Sequence, residues 1–500
     1  MKNRIKALLR IRCAARLAVG VLALAVLGIA STAWAAIAVT NLDDSGPGSL
    51  RQAIADAVPG DTITFTVYGT ITLTSGALTL EKDLRIEGPG SYRLRISGNH
   101  TSRVFVIRPN MRVTLVGMTI SDGLADGNSP YLPSGGGGIL VGAPPMNFAT
   151  SLTLSEVVLS GNQALGDTVN GPWSYPGLAV GGGIANLGTL AITDGLFIGN
   201  LARGADGSTS PALPAGLGLG GGIYSRGKLM VIESRFTHNQ AIGGNDNSSP
   251  SFPGLALGGA IYGEGPTADL AVQDGEFDHN QAIGGNGNES AAAYPNQAGG
   301  GAICIAAGQA AISNCTLQHN MSAGGAGAAE ANGGIGGGGA VLASNSKGQN
   351  TNVTISDSTI EHNMTLGGPG SAGRDGGEGQ GGGLNSTAGA TLTVVNTTVA
   401  HNHAQGGGGG MGGNGGDGLG GGLYDGNDLV SPPIPPTATK LVLRNAIVTK
   451  NLALYGEAGA GGSDGEGIGG GVYYLGSFSN DAKTAIRKNQ ASTGNDNVGP

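Results

Sequence analysis

One short phrase recurs along this chain at a nearly constant interval. Its clearest copies are Phe197-Ile-Gly-Asn200, Phe236-Thr-His-Asn239 and Phe277-Asp-His-Asn280, and looser copies end at Asn162, Asn320, Asn363, Asn402, Asn451 and Asn489. Successive asparagines lie 38, 39, 41, 40, 43, 39, 49 and 38 residues apart. A period of this length requires stacked units, because one such unit cannot bury its own apolar face.

A second marker runs in the same register. A glycine cluster followed by one aliphatic residue recurs at Ile139, Ile184, Ile223, Ile261, Ile303, Val341, Leu384, Leu423 and Val472. Alternating runs such as 228–233 come next, as in half-buried strands. From glycine cluster to Ala-Ile-Gly-Gly244 is about 25 residues, room for three short strands. That is one coil of a parallel β-helix, with coils ~4.8 Å apart. The rest of each unit reads as a glycine-rich insertion at one fixed corner. The expected fold is all-β: a single-stranded right-handed parallel β-helix (solenoid) of twelve or more coils, with a short N-terminal capping helix and glycine-rich loop insertions.

In this scheme the Phe or aliphatic residue points inward and stacks on its equivalents. The asparagine is expected to occupy the turn, because Asn tolerates left-handed backbone angles. Its amide then bonds the coils above and below, a structural ladder of Asn162, Asn200, Asn239, Asn280, Asn320, Asn363, Asn402, Asn451 and Asn489. A second polar row six residues earlier, Glu156, Asp194, Glu233, Asp274, Asn314, Asp357, Asn396 and Asn445, reads as another turn. At the N-terminal end, Ser49-Leu-Arg-Gln52 begins a helix over 49–58 with the spacing of a capping box.

Residues 1–35 read as a Sec-type signal peptide: six basic residues, the apolar run 17–30, then Ala33-Trp-Ala35. The apolar run is short for a membrane span. Removing the six leaves 20 of the 26 basic residues against 34 acidic ones, a net charge of −14 that excludes nucleic acid as a partner. The chain then divides into a cap segment 36–60, first coils 61–134, repeat β-helix 135–490 and a tail 491–500. Glycine fills 98 of 500 positions, yet no chain-wide three-residue period indicates collagen. The apolar residues recur in register, which excludes wholesale disorder. Cys304 and Cys315 follow the leader; two unpaired small side chains are preferred over the disulfide that export would permit.

Gly258-Gly-Ala-Ile261 and Gly300-Gly-Ala-Ile303, each followed by a phrase like Phe277-Asp-His-Asn280, resemble the paired GGAI and FxxN repeats of the polymorphic outer membrane proteins. The likeness covers about residues 135–490. Asn41-Leu-Asp-Asp-Ser-Gly-Pro-Gly-Ser-Leu-Arg-Gln-Ala-Ile54 and Asp61-Thr-Ile-Thr-Phe65 resemble the head segment of secreted bacterial pectin-lyase-like β-helix proteins. Together these resemblances imply an extracellular or cell-surface structural or adhesive protein that binds polysaccharide or host-surface components. The translocating barrel of the first family has no counterpart in 491–500. The alternative is a carbohydrate-active enzyme, a polysaccharide lyase or glycosidase; its converging carboxylates are not legible, although Asp122, Asp126 and Asp167 lie beside long loops.

Three patterns are candidates for ligand chemistry. His238, His279, His319, His362 and His401 precede the ladder asparagine in successive units and would stack as a row of imidazoles; a plain polar surface row is preferred over a metal site, because a flat row converges poorly on one tetrahedral ion. Mutual repulsion is expected to keep most of them neutral near pH 6. Gly412-Gly-Asn414-Gly-Gly-Asp417-Gly-Leu-Gly420 fits the nonapeptide that binds Ca2+ in tandem copies, here in one copy. Tyr224, Tyr262, Tyr424 and Tyr473 follow the glycine cluster, where cross-strand packing is favoured over an outward face that holds sugar rings.

Overall fold

The computed structural model describes residues 36–500, except 128–131, 133, 143–148, 168–175, 211–212, 266–268, 291–294, 330, 346–349 and 427–438. The expected leader therefore lies outside the described residues. A representative coil runs through five strands: Gly218–Leu219, Ile223–Ser225, Lys228–Ile232, Arg235–Thr237 and Gln240–Ile242. Each pairs in parallel with its equivalent one coil on, in the registers Gly218↔Ala256, Ile223↔Ile261, Leu229↔Leu270, Phe236↔Phe277 and Gln240↔Gln281. Repetition builds five parallel sheets of 8, 12, 13, 12 and 10 strands in that order around the coil. They are called sheets one to five below. The solenoid is right-handed, the hand that parallel crossovers adopt.

Five strands replace the three expected. Sheets one and five use strands of only two or three residues, too short for alternation to register in the sequence. Sheet three shows the alternation cleanly: in 228–232, Leu229 and Val231 are buried while Lys228 and Met230 are exposed. Sheet two is buried on both faces. Ile223 joins the main core, whereas Tyr224 joins a second cluster with Leu217, Leu219 and Tyr262 beneath sheet one. The same double burial holds at 105–107, where Phe105 and Ile107 pair with the inward Ile139 and Val141, and Val106 faces the second cluster.

The corners follow from backbone geometry. Glu156, Asp194, Glu233, Asp274, Asn314, Asp357, Asn396 and Asn445 have φ between 48° and 55°, so the second polar row is a left-handed corner between sheets three and four. The next corner corrects the sequence reading. Its left-handed residue precedes the asparagine: Gly161, Gly199, the five histidines, Lys450 and Lys488, with φ of 53–62°. The asparagine itself is buried one position later. Asn239 Nδ2 donates to Phe197 O at 3.0 Å and to Asn280 Oδ1 at 2.9 Å, and its backbone N–H donates to Asn280 Oδ1 at 3.1 Å. Identical sets join every consecutive pair from Asn162 to Asn489. Inside the ladder, aromatic rings stack, Phe197 on Phe236 at 4.5 Å and Phe236 on Phe277 at 4.9 Å.

The insertions are ordered extensions of the coil. Between sheets five and one the chain runs outward and returns, and the two limbs bond alternately within and between coils. Gly377 N donates to Gly368 O, Gly407 N to Gly377 O, Gly416 N to Gly407 O and Gly456 N to Gly416 O, each at 2.8 Å. The limbs lie so close that a Cβ on Gly407 would overlap the Gly368 carbonyl. Gly367, Gly370, Gly373, Gly376, Gly379 and Gly382 recur every third residue, as do Gly406, Gly409, Gly412, Gly415, Gly418 and Gly421. Three residues per turn is the repeat of extended polyproline-type helices, whose crowded positions admit only glycine.

The helix spans Leu50–Asp56 and buries Leu50, Ala53 and Ile54 against the first coil. Ser49 Oγ accepts from Gln52 N at 3.2 Å. The reciprocal half of the capping box is replaced: Gln52 donates to Asp56 at 2.7 Å, and Ser49 N donates to Gly46 O. Lys82 Nζ reaches the terminal carbonyls of Ala55 and Ala57 at 2.8 and 2.6 Å, where a cation complements the helix dipole. Ser49→Ala is expected to lower stability by about 1 kcal/mol, read as a small shift in a urea melt with an unchanged slope.

Candidate functional site

The histidine row stands on the outer corner between sheets four and five. Any residue that tolerates positive φ satisfies this backbone, as the glycines and lysines at either end show. Five consecutive histidines exceed that requirement. Their rings stack with centroid separations of 5.1, 4.8, 5.5 and 4.8 Å from His238 to His401. The widest gap, between His319 and His362, divides the row.

Carboxylates fall on either side of that gap. Asp278 Oδ1 lies 2.9 Å from His279 Nδ1 and 3.1 Å from His319 Nδ1. Glu361 stands beside His362 and His401, and in each trio all donor atoms lie within 4.8 Å of one another. Partial burial raises the Asp278 pKa, but hydrogen bonds from both imidazoles outweigh it and hold the carboxyl below its ordinary value. His401 is held below its ordinary value by burial, then by His362 and Lys450, with Glu361 opposing. His238 Nδ1 has no carboxylate in this arrangement and pairs with Thr237 Oγ1 at 2.7 Å.

The tyrosines are not a sugar platform. Tyr224 and Tyr262 are 6% and 4% exposed and Tyr424 is fully buried, because sheet one covers the outer face of sheet two. They pack across strands instead: Tyr224 stacks on Tyr262 at 5.7 Å and Tyr424 on the half-buried Tyr473 at 5.6 Å. Both hydroxyls of the first pair donate to Glu264, at 2.8 and 2.9 Å, and Arg226 approaches the same carboxylate at 3.3 Å.

Asn414 and Asp417 tie neighbouring insertions together. Asn414 Oδ1 accepts from Ser463 N at 3.0 Å, Asp417 Oδ1 from Glu466 N at 2.7 Å, and Asn414 N donates to Asp375 Oδ1 at 2.7 Å. Inter-coil bonding thus occupies one oxygen of each candidate calcium ligand. Cys304 and Cys315 are free and buried. Cys315 takes the place of a serine in an inner row, its Sγ accepting from Gly275 N as Ser234 Oγ accepts from Gly195 N. Burial pushes the Cys315 thiol up to about 11, which keeps it unreactive.

Asp122 is bound by Arg95 at 2.5 Å and by the Ser97 and Ser121 hydroxyls at 2.9 and 3.0 Å, with His100 at 3.8 Å. Burial raises its pKa, yet these partners keep it below the ordinary carboxylate range, so it is an ionised anchor. Asp126 acts electrostatically on Arg103, whose guanidinium burial depresses to about 10. Asp167 packs where a Cβ on Gly127 would sit. Two buried features escaped the sequence reading. Asn247 and Asn288 form a further ladder inside the insertions, Asn247 N donating to Asn288 Oδ1 at 2.6 Å; the shared Gly-Gly-Asn-x-Asn phrase was its signal. Burial pushes Asp425 up to about 7 despite the neighbouring Ser386 and Thr439 hydroxyls.

Strand order and corner rows together define a parallel β-solenoid protein with ordered glycine-rich extensions. No protein-family model and no curated protein matches the chain, so the likeness to polymorphic outer membrane protein repeats rests on the phrases themselves. Among solved structures it is similar to the A-module of Azotobacter vinelandii mannuronan C-5 epimerase AlgE6, with 14% identity and a TM-score of 0.31 over 91% of this chain and 100% of that one. The catalytic unit of a GH87 α-1,3-glucanase from Streptomyces thermodiastaticus matches with 13% identity and a TM-score of 0.30, over 83% of this chain and 69% of that one. Tailspike protein 3 of bacteriophage CBA120 matches with 12% identity and a TM-score of 0.23, over 79% and 54%. Superpositions this loose carry no argument about function, and the functional reading rests on this chain's own geometry.

Proposed function

We propose that this protein is an extracellular or cell-surface structural solenoid with an adhesive or ligand-binding role, its ligands carbohydrate or other surface components. The leader-like segment 1–35 supports export, and no described helix is long and apolar enough to cross a membrane. The observation that carries the reading is how outward charges are arranged. Three exposed pairs run along the solenoid between adjacent coils, Arg112 with Asp83 at 2.7 Å, Arg235 with Glu276 at 2.6 Å and Lys228 with Asp269 at 3.9 Å. A lyase or glycosidase needs carboxylates that converge on one bond with opposed proton affinities. Among the described Asp–Arg pairs, the carboxyls of Asp44 with Arg51, Asp83 with Arg112 and Asp122 with Arg95 are all held below the ordinary carboxylate range by their partners, so none of these three offers the raised acid such an enzyme needs.

The purified chain is expected to bind immobilised acidic or neutral polysaccharides or cell-surface material in a saturable way without releasing reducing or unsaturated products. Product release that disappears in Asp122→Asn would replace this reading with the carbohydrate-active enzyme.

A further inference from the structure

We propose that the histidine row holds two sites for a borderline divalent cation of the zinc, nickel or copper type. Asp278, His279 and His319 build one; Glu361, His362 and His401 build the other. These sites are independent of the adhesive role, and the corner's backbone does not demand them. Lys450 and Lys488 occupy the same backbone position with φ of 57° and 59°, so the fold accepts a long cationic side chain there. Histidine is thus dispensable for the turn at each of the five positions.

The carboxylates give the row a grouping that stacking alone does not. On the strand position before the corner, successive coils carry Thr237, Asp278, Gln318, Glu361, Ala400 and Thr449. A carboxylate therefore enters at every second coil, and each is followed by its own histidine and by the histidine of the next coil. The result is one carboxylate for two imidazoles, twice. Ring spacing obeys the same division, 4.8 Å within each trio and 5.5 Å between the trios.

Two imidazoles and one carboxylate suit zinc, nickel, copper or iron rather than calcium or magnesium, which prefer all-oxygen sets. Stacked parallel rings do not aim two lone pairs at one point, so binding requires the rings to turn. The room exists: the His279 and His319 side chains are 49% and 45% exposed, and their planes already depart from parallel by 21°. Nδ1 of both rings faces Asp278 Oδ1, and the ion would take the place that a proton holds in those contacts. With neutral imidazoles each trio carries one negative charge, which a divalent cation reverses. Solvent fills the remaining coordination positions, as in sites that keep an open face.

The test is calorimetric titration of the full chain with Zn2+, repeated with Ni2+. Two ions per chain are expected in the native protein. His319→Lys and His401→Lys install the residue that Lys450 and Lys488 already place at this corner, so the fold should hold, and each should abolish one of the two binding events. Asp278→Asn and Glu361→Gln should weaken the corresponding event by about tenfold or more. Raising the proton concentration should release both ions, because imidazole must be neutral to ligate. Failure to take up stoichiometric metal, or two ions retained at native affinity by the His319→Lys/His401→Lys double variant with an unchanged melting temperature, would overturn the proposal.

Discussion

Asn280→Ala is expected to weaken the junction between its two neighbouring coils by about 4 kcal/mol, since each buried group it strands costs ~1–3 kcal/mol. The Asn280 side chain takes part in four hydrogen bonds. Its Nδ2 donates to Phe236 O at 2.9 Å and to Asn320 Oδ1 at 3.0 Å, while its Oδ1 accepts from Asn239 Nδ2 at 2.9 Å and Asn239 N at 3.1 Å. Alanine leaves the Asn239 backbone N–H and the Phe236 carbonyl buried without these partners, in a corner closed to solvent. Stability in a stacked array is a sum of unit and neighbour terms, so the damage should stay local before it spreads. Hydrogen exchange should show Phe236–Asn239 and Asn320 opening first, with the melting transition lowered and broadened. An unchanged exchange pattern in these corners would mean that the ladder is a by-product of packing.

Gly407→Ala and Gly408→Ala should behave in opposite ways although the positions adjoin. On Gly407 a Cβ overlaps the carbonyl oxygen of Gly368 in the preceding insertion, a backbone atom with no side chain to move aside. Relief requires separating limbs that bond at 2.8 Å on both sides, through Gly377 and Gly416. A cost of about 3 kcal/mol, at the upper end for overpacking, is expected, with loss of order in the adjoining insertions. On Gly408 the nearest atom to a Cβ is Glu457 O at 3.8 Å. There alanine should be neutral or stabilise by about 0.5 kcal/mol, because it restricts the unfolded chain. Paired thermal melts and limited proteolysis of the 405–420 region check both. Equal effects at the two positions would refute close packing of the limbs.

The sequence readings succeeded where one residue type meets one environment in every coil. Asn and Phe meet that condition, since an amide alone continues the ladder and a flat ring stacks on another flat ring. The left-handed corner was assigned to asparagine because Asn is a familiar occupant of that conformation. Its real occupants, Gly161, His238 and Lys450, share only a tolerance and no chemistry, so no pattern marked them. The tyrosines were ambiguous because burial of both faces of sheet two erases the inside–outside alternation that would place Tyr224. Treating the glycine runs as loops overlooked a local three-residue period, diluted to nothing when glycine is surveyed across 500 residues. At the histidine row, the imidazoles were legible as a column. Their grouping by Asp278 and Glu361 was not, since it depends on contacts between residues forty positions apart that only the coil register creates.

The asparagine ladder also has a sense of direction. Between side chains, every Nδ2 donates to the Oδ1 of the C-terminal neighbour and every Oδ1 accepts from the N-terminal one, from Asn162 through Asn489, while the second Nδ2 hydrogen returns to a carbonyl of the preceding coil. Gly123 N supplies the donor that begins the series, at 3.0 Å, and Asn497 Oδ1 the acceptor that ends it, at 3.1 Å. The amide dipoles therefore add rather than cancel, and aligned hydrogen bonds polarise one another. Each coil behaves as a connector with a plug on one side and a socket on the other. A coil inserted or lost as a complete unit presents the same plug to the same socket, whereas a partial one breaks the circuit. The array can thus change length by whole coils without altering the chemistry of any joint.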